Sequence, residues 1–257
     1  MTLKEQYIAF STIVVKEFMR FMRIWVQTVL PAMITMGLYF VIFGNLIGSQ
    51  IAPIKGFNYI DYIVPGIILM AMINNSYANV VSSFFSAKFQ RHIEEMLVSP
   101  MPNYLILLGF VGGGLARGVI IGISVSIVAM FFTNLQFHNF AIVLLVALLT
   151  SIMFALAGFI NAIYARTFDD ISIIPTFVLT PLTYLGGIFY SVDMLPVFWH
   201  NVSYANPILY MINAMRYGML GVSDIDVNIA IVIIVGFVVV LYLYCLYLLR
   251  KGTGIRY

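Results

Sequence analysis

The chain has 257 residues, of which 62% are hydrophobic and 9% charged, with a net charge of +3 and a mean hydropathy of +1.02. Soluble domains carry roughly 25% charged residues, so this composition excludes an ordinary soluble domain and points to an integral membrane protein. The lone Cys245 excludes a disulfide framework and a paired-thiol metal site, and the small positive charge reflects basic residues at membrane edges, not a nucleic-acid patch.

Six stretches without Asp, Glu, Lys or Arg are long enough to cross a bilayer: residues 24–54, 62–87, 118–137, 139–165, 171–192 and 229–249. Their apolar runs are continuous, without a period of two, so they read as helices and not barrel strands. The expected fold is an all-α polytopic membrane protein, one bundle of six transmembrane helices with no room for a second domain. No cleavable leader pattern stands at the start, so the N-terminus is expected to be retained.

Residues 4–23 precede the first crossing and are amphipathic. Thr12, Lys16, Arg20 and Arg23 form a polar stripe, and Val14, Phe18, Phe21 and Trp25 an apolar one. This pattern suits a basic helix lying in the cytoplasmic interface, either as an anchor or as a helix that transmits motion from a partner. The first crossing covers about residues 27–48, with Pro31 near its start. The second carries Asn74, Asn75, Ser76 and Asn79, amides and a hydroxyl that either bond neighbouring helices or line a pathway.

Residues 82–104, SSFFSAKFQRHIEEMLVSPMPNY, form the next segment. Helical spacing puts Phe85, Phe89, Ile93 and Met96 on one face, against Lys88, Arg91, His92, Glu94 and Glu95. Pro100 and Pro102 end that helix. Such a helix either docks a protein or lies solvated on the membrane. Gly109 and Gly112–Gly114 follow, but no GxxxxGK[ST] pattern occurs, so they imply bending or close helix approach and no phosphate loop. With a third crossing at 118–137, Arg117 is expected to snorkel at the cytoplasmic edge. A turn at 134–139 leads to the fourth crossing. Beyond it, Asp169 and Asp170 either support the next helix N-terminus or touch a partner.

The stretch 180–221 opens as the fifth span, loosened by Pro181, Gly186 and Gly187. About thirty residues then carry only Asp193 and Arg216 as charges, yet Pro196, Asn206 and Pro207 forbid a continuous helix. Asn206 and Pro207 suit the cap and first turn of a short helix to Tyr217, ended by Gly218. Too apolar for water and too broken to span, the segment reads either as a re-entrant external hairpin packed on protein or as an apolar folded loop. Residues 229–249 make the cleanest span.

Six crossings put both termini on one side, which collects Lys4, Lys16, Arg20, Arg23, Lys88, Arg91, Arg117, Arg166, Arg250, Lys251 and Arg256. The other side holds Lys55 and Arg216, so the termini are expected in the cytoplasm. His92, His138 and His200 are far apart, and no HExxH, GxSxG or carboxylate cluster offers catalysis or metal ligation. The spans lack the carboxylates usual in ion-coupled carriers.

Residues 89–102 (FQRHIEEMLVSPMP) and 181–218, which include Asn206-Pro207 and Arg216, resemble the coupling segment and the fifth span with its re-entrant hairpin in type-2 ABC transporter permeases. This family of polysaccharide, lipo-oligosaccharide and drug exporters resembles essentially the whole chain. The resemblance implies a single transmembrane domain over 1–257, with an interfacial helix at 1–23, a coupling helix at 84–102 and a re-entrant segment at 191–221. It implies a homodimer in the inner (plasma) membrane, exporting substrate and served by two copies of a separate ATPase. No cofactor is expected on this chain; ATP and Mg²⁺ belong to the ATPase, so the chain itself is no enzyme. Lys88, Phe89, Arg91, His92, Glu94 and Glu95 would couple to that partner, and Asn74, Asn75, Asn79, Phe177, Thr180 and Tyr184 are the pathway candidates. The alternatives are an ATP-independent channel or carrier, which predicts transport without an ATPase, and a membrane scaffold, which predicts docking without transport.

Overall fold

The computed structural model describes residues 1–252 and 254, so the expected cytoplasmic position of Arg256 lies outside the described residues. The chain forms α1 (Leu3–Arg23), α2 (Trp25–Tyr39), α3 (Tyr59–Phe89), α4 (His92–Val98), α5 (Asn103–Ala129) and α6 (Phe140–Tyr164). Then come α7 (Asp170–Ile174), α8 (Thr180–Leu185), α9 (Val197–Tyr204), α10 (Pro207–Leu220) and α11 (Val227–Lys251), and no β-strand occurs among the described residues. Helix α2 runs on through a π-helical stretch, Phe40–Ile47, and a 3₁₀ turn, Gly48–Gln50. Five runs are long and apolar enough to span a membrane: Trp25–Gln50, Tyr59–Phe89, Asn103–Ala129, Phe140–Tyr164 and Val227–Lys251.

Helix α3 is the axis of the bundle, and α5, α6 and α10 pack around it. Its apolar residues are buried all round, as a central helix requires. Close packing on α3 is set by glycine. At Gly158 of α6 a Cβ would stand 2.6 Å from the Tyr77 carbonyl oxygen of α3, so no larger residue permits this approach. The glycines of α5 serve the same end, with Gly114 against Val80 and Ala155 and Gly122 against Met72. Of the two roles open to the Gly112–Gly114 run, close approach is the one seen, and α5 remains one unbroken helix.

Three expected boundaries move. The helix that carries the third crossing is not 118–137 but Asn103–Ala129, so Arg117 lies within a 27-residue helix instead of ahead of it. The expected fifth crossing, 171–192, is a shorter apolar run, Asp170–Leu185, in which Pro175 opens a π-helical stretch to Leu179. At 1.5 Å per residue it is about 24 Å long, short of a hydrocarbon core of roughly 30 Å. Helix α10 runs on past Tyr217 to Leu220 and ends at left-handed Gly221 (φ 78°), whereas Gly218 packs inside it against Val143. Its start is as read: Asn206 Oδ1 accepts from the Ile208 amide at 3.0 Å, and Pro207 takes the first turn.

Helix α1 starts with a capping box between Thr2 and Glu5. It runs alongside the first half of α5, with Ile13 at Gly109 and Glu17 at Gly113. The face it buries is Ile13, Glu17 and Phe21; of the expected stripe of Val14, Phe18, Phe21 and Trp25, Phe21 is buried and Val14 packs at Gly112, while Phe18 and Trp25 are exposed.

Candidate functional site

The C-terminal end of α3 is shaped by a break in the backbone. Gln90 caps α3, Arg91 adopts the left-handed conformation (φ 61°), and α4 departs in a new direction. The break overturns the single helical face expected across residues 85–96: Phe85 and Ile93 are buried, while Phe89 is 64% exposed. Phe168, from the loop before α7, packs edge-on against both Phe85 and Phe89, with ring centroids 4.9 and 5.2 Å apart. Ser99 closes α4 by donating its hydroxyl to the Met96 carbonyl at 2.6 Å, and Pro100 and Pro102 keep the helix from resuming.

Lys88 does not face outward as a partner contact. Its Nζ is buried and donates to the carbonyls of Ile163 at 2.6 Å and Ala165 at 2.7 Å, satisfying the C-terminal end of α6. It therefore ties α3 to α6. Arg91, His92, Glu94 and Glu95 are exposed on α4 and its approach, with no ion pair among the described residues. Helix α4 is thus a short helix pinned by buried Ile93 that presents mixed, exposed charge.

Behind that surface, a polar seam runs between α1, α3 and α5. Glu17, 1% exposed, accepts from Ser83 Oγ at 2.6 Å and pairs with Arg20 at 3.3 Å. Arg20 also donates to the Oδ1 and carbonyl of Asn79 at 2.9 and 3.0 Å. Arg117 donates to Asn75 Oδ1 at 2.9 Å. Of the pathway candidates, Asn75 and Asn79 thus lie together in this seam, and Asn74 is half-buried beside them on α3. Phe177, Thr180 and Tyr184 lie elsewhere, on an exposed ridge along the π-helical stretch Pro175–Leu179 and α8, where Thr180 donates to the Pro175 carbonyl and the Tyr184 hydroxyl meets that of Tyr39 at 2.9 Å. Glu17 was not foreseen: it sits one residue from Lys16 and reads from sequence as one more polar position of an interfacial helix.

At the opposite end, a second ionic cluster was also missed. Residues 54–57 form a tight turn, with Lys55 (φ 50°) and Gly56 (φ 85°) both left-handed, as a type I′ turn requires. The turn aims Lys55 at Asp224, with which it forms an ion pair. Asp224 also accepts from Ser191 Oγ at 2.9 Å and faces Arg216 at 3.8 Å. Arg216 is fully buried, lies 3.8 Å over the Tyr62 ring and donates to the Gly187 carbonyl at 2.7 Å. Burial alone would raise the Asp224 carboxyl; its bond to Lys55, the Arg216 charge and Ser191 outweigh it and hold the group below the usual carboxylate range. Together these contacts fasten α10 and the 186–193 strap onto the N-terminal end of α3. The helix before them, α9, leaves Val197, Phe198 and Trp199 exposed. A separate apolar cavity of about 520 Å³ opens between α5 and α6, lined by residues such as Met72, Gly122, Ile127, Phe140 and Met215, and none of the pathway candidates reaches it.

The profile of the ABC-2 type transporter family matches residues 8–220, a region that includes α4, the polar seam, Arg216 and most of the bundle. The chain belongs to this family. As an ABC-2 permease it is similar along almost its whole length to the inner membrane transport permease YadH of Escherichia coli K12, at 54% identity over 97% of this chain and 98% of the relative. It is also similar to nodulation protein J of Rhizobium leguminosarum bv. viciae, at 25% identity over 81% of each chain. Family membership makes this all-helical ABC-2 permease a multi-pass membrane transport protein.

Proposed function

We propose that the chain is the membrane-spanning subunit of an ATP-driven exporter in the inner membrane. Two copies form the translocation pathway, and two copies of a separate ATPase dock beneath them. ATP and Mg²⁺ act on the ATPase, and this chain carries motion without catalysis. The observation that carries the reading is the family match, taken together with an exposed, charged α4 attached to the central helix of the bundle. A push on α4 passes into α3, because buried Ile93 anchors α4 and the chain joins the two helices directly at Gln90–Arg91. The docking residues are Phe89, Arg91, His92, Glu94 and Glu95. Residues 171–192 make a sixth crossing, completed by the strap beyond Leu185, and 191–221 form a re-entrant outer hairpin; its buried α10 and apolar, exposed α9 support this. Both termini then face the cytoplasm. The ridge of Phe177, Thr180 and Tyr184 and the α3 amides face the pathway at the dimer axis.

Affinity purification of the tagged chain in mild detergent tests this reading. An ATPase polypeptide should copurify with the wild-type chain and be lost from the Arg91→Glu, Glu95→Arg double variant. A folded chain that brings down no ATPase, yet transports in liposomes without ATP, overturns it.

A further inference from the structure

We propose that Arg117 and Arg20, with Asn75 and Asn79, form a binding site for a phosphate group in the corner between α1, α3 and α5. The site does not depend on the docking of an ATPase.

The charges in this corner do not balance. The seam contains two guanidinium groups and one carboxylate, and Glu17 is already taken by Arg20 and Ser83. Arg117 has no carboxylate within ion-pair distance among the described residues, and one hydrogen bond, to Asn75, uses a single one of its five donors. Its Nε is buried without a partner, and so is Nδ2 of Asn79. Arg20 acts on Arg117 as a like charge. A cation in an apolar helix is costly and is normally paired, so two arginines held together above one spoken-for carboxylate mark a place for an added anion.

Space and chemistry agree with a phosphate. Arg20 is 31% exposed, and Arg117 and Asn75 are half-buried, so the corner is open to one side. Phosphate oxygens accept from guanidinium forks and from amide N–H groups, the donors left over here. Depth also fits. Along α5, Glu17 of α1 meets Gly113 and Gly37 of α2 meets Val128, so Arg117 stands at the height where α1 breaks into α2. That break carries Arg20, Arg23 and an exposed Trp25, the residue types of a membrane–water interface, the level of a lipid phosphate. The phosphate comes from a lipid headgroup or from a soluble anion.

The test uses the full chain in phosphatidylcholine nanodiscs doped with phosphatidylglycerol, with retained lipids counted by native mass spectrometry. A parallel arm measures melting in detergent with and without inorganic phosphate. Wild type should retain phosphatidylglycerol preferentially, or be stabilised by phosphate, and the arm that responds names the source. Arg117→Gln should weaken the response about tenfold, and Lys4→Gln, at the far end of α1, should leave it unchanged. Because Arg117→Gln removes a partner of Asn75, Asn75→Asp is the second variant. It supplies a carboxylate beside Arg117, so it should fold and should also abolish the response. Equal responses in wild type and Asn75→Asp, or no response in either arm from wild type, overturn the proposal.

Discussion

Arg216 and Asp224 face each other across a site that water does not reach, and each depends on the other for its charge. Removing one partner of a buried pair leaves the other uncompensated and typically costs about 3–5 kcal/mol. Asp224→Asn should therefore lower the melting temperature of the detergent-solubilised chain markedly, while Asp193→Asn, whose side chain is 63% exposed, should barely move it. The pH dependence has a definite sign. Because the Asp224 carboxyl is held below its ordinary value, its contribution is fully present above about pH 4 and is lost as pH falls through the lower, folded value. Melting curves taken from neutral to acidic pH should show this loss in wild type and a flatter profile in Asp224→Asn. Gly158 makes a different kind of claim. The Tyr77 carbonyl is backbone and cannot swing aside, so Gly158→Val should force α6 off α3 and prevent accumulation of folded protein, as a solubilised-yield assay would show. Neither effect is legible in the sequence: Asp224 stands in an ordinary loop string, and a glycine in a membrane helix does not announce its neighbour.

Helices separate by how much of their placement depends on partners. Helices α6 and α11 are long, apolar through their spans and readable from hydropathy, and they appear where expected within a few residues. Helix α5 differs from the expected 118–137 because it begins at Asn103 and passes through Arg117, whose guanidinium is bonded to Asn75 and set beside Asn79. The run from Asp170 to Leu185 is shorter than the expected 171–192: its composition is apolar enough, but Pro175 and the Gly186–Gly187 turn cut the regular helix short. At the cytoplasmic end, a proposed coupling segment divides into a part that holds the fold and a part that is free. Lys88→Ala should destabilise the chain by about 1–3 kcal/mol, since three carbonyls at the end of α6 lose their donor. Arg91→Glu with Glu95→Arg should leave the melting temperature within a degree or two and act on partner binding alone. Thermal melts of the two variants side by side distinguish a bolt from a docking face.

At the scale of the molecule, charge is concentrated at three levels of an otherwise apolar bundle: the α4 surface, the α1–α3–α5 seam and the outer Arg216–Asp224–Lys55 cluster. Helix α3 touches all three, through Phe89, through Asn75 and Asn79, and through Tyr62. A single helix that links the proposed docking face to the strap at the other end of the bundle is suited to transmit displacement, and its length of about 46 Å exceeds the hydrocarbon thickness of a bilayer. The class of the protein was legible from composition, and its family from two motif-bearing stretches. The coupling between the levels was not, because it depends on side chains from α1, α3 and α10 that meet only in the folded bundle. The central claim is that α4 is the seat of an ATPase. A photo-reactive amino acid placed at Glu95 and irradiated in intact cells should give one adduct, at the summed mass of this chain and a Walker-motif ATPase, and the same probe at Phe198 on α9 should not. Absence of that adduct at Glu95 from a folded chain that still transports would contradict the account.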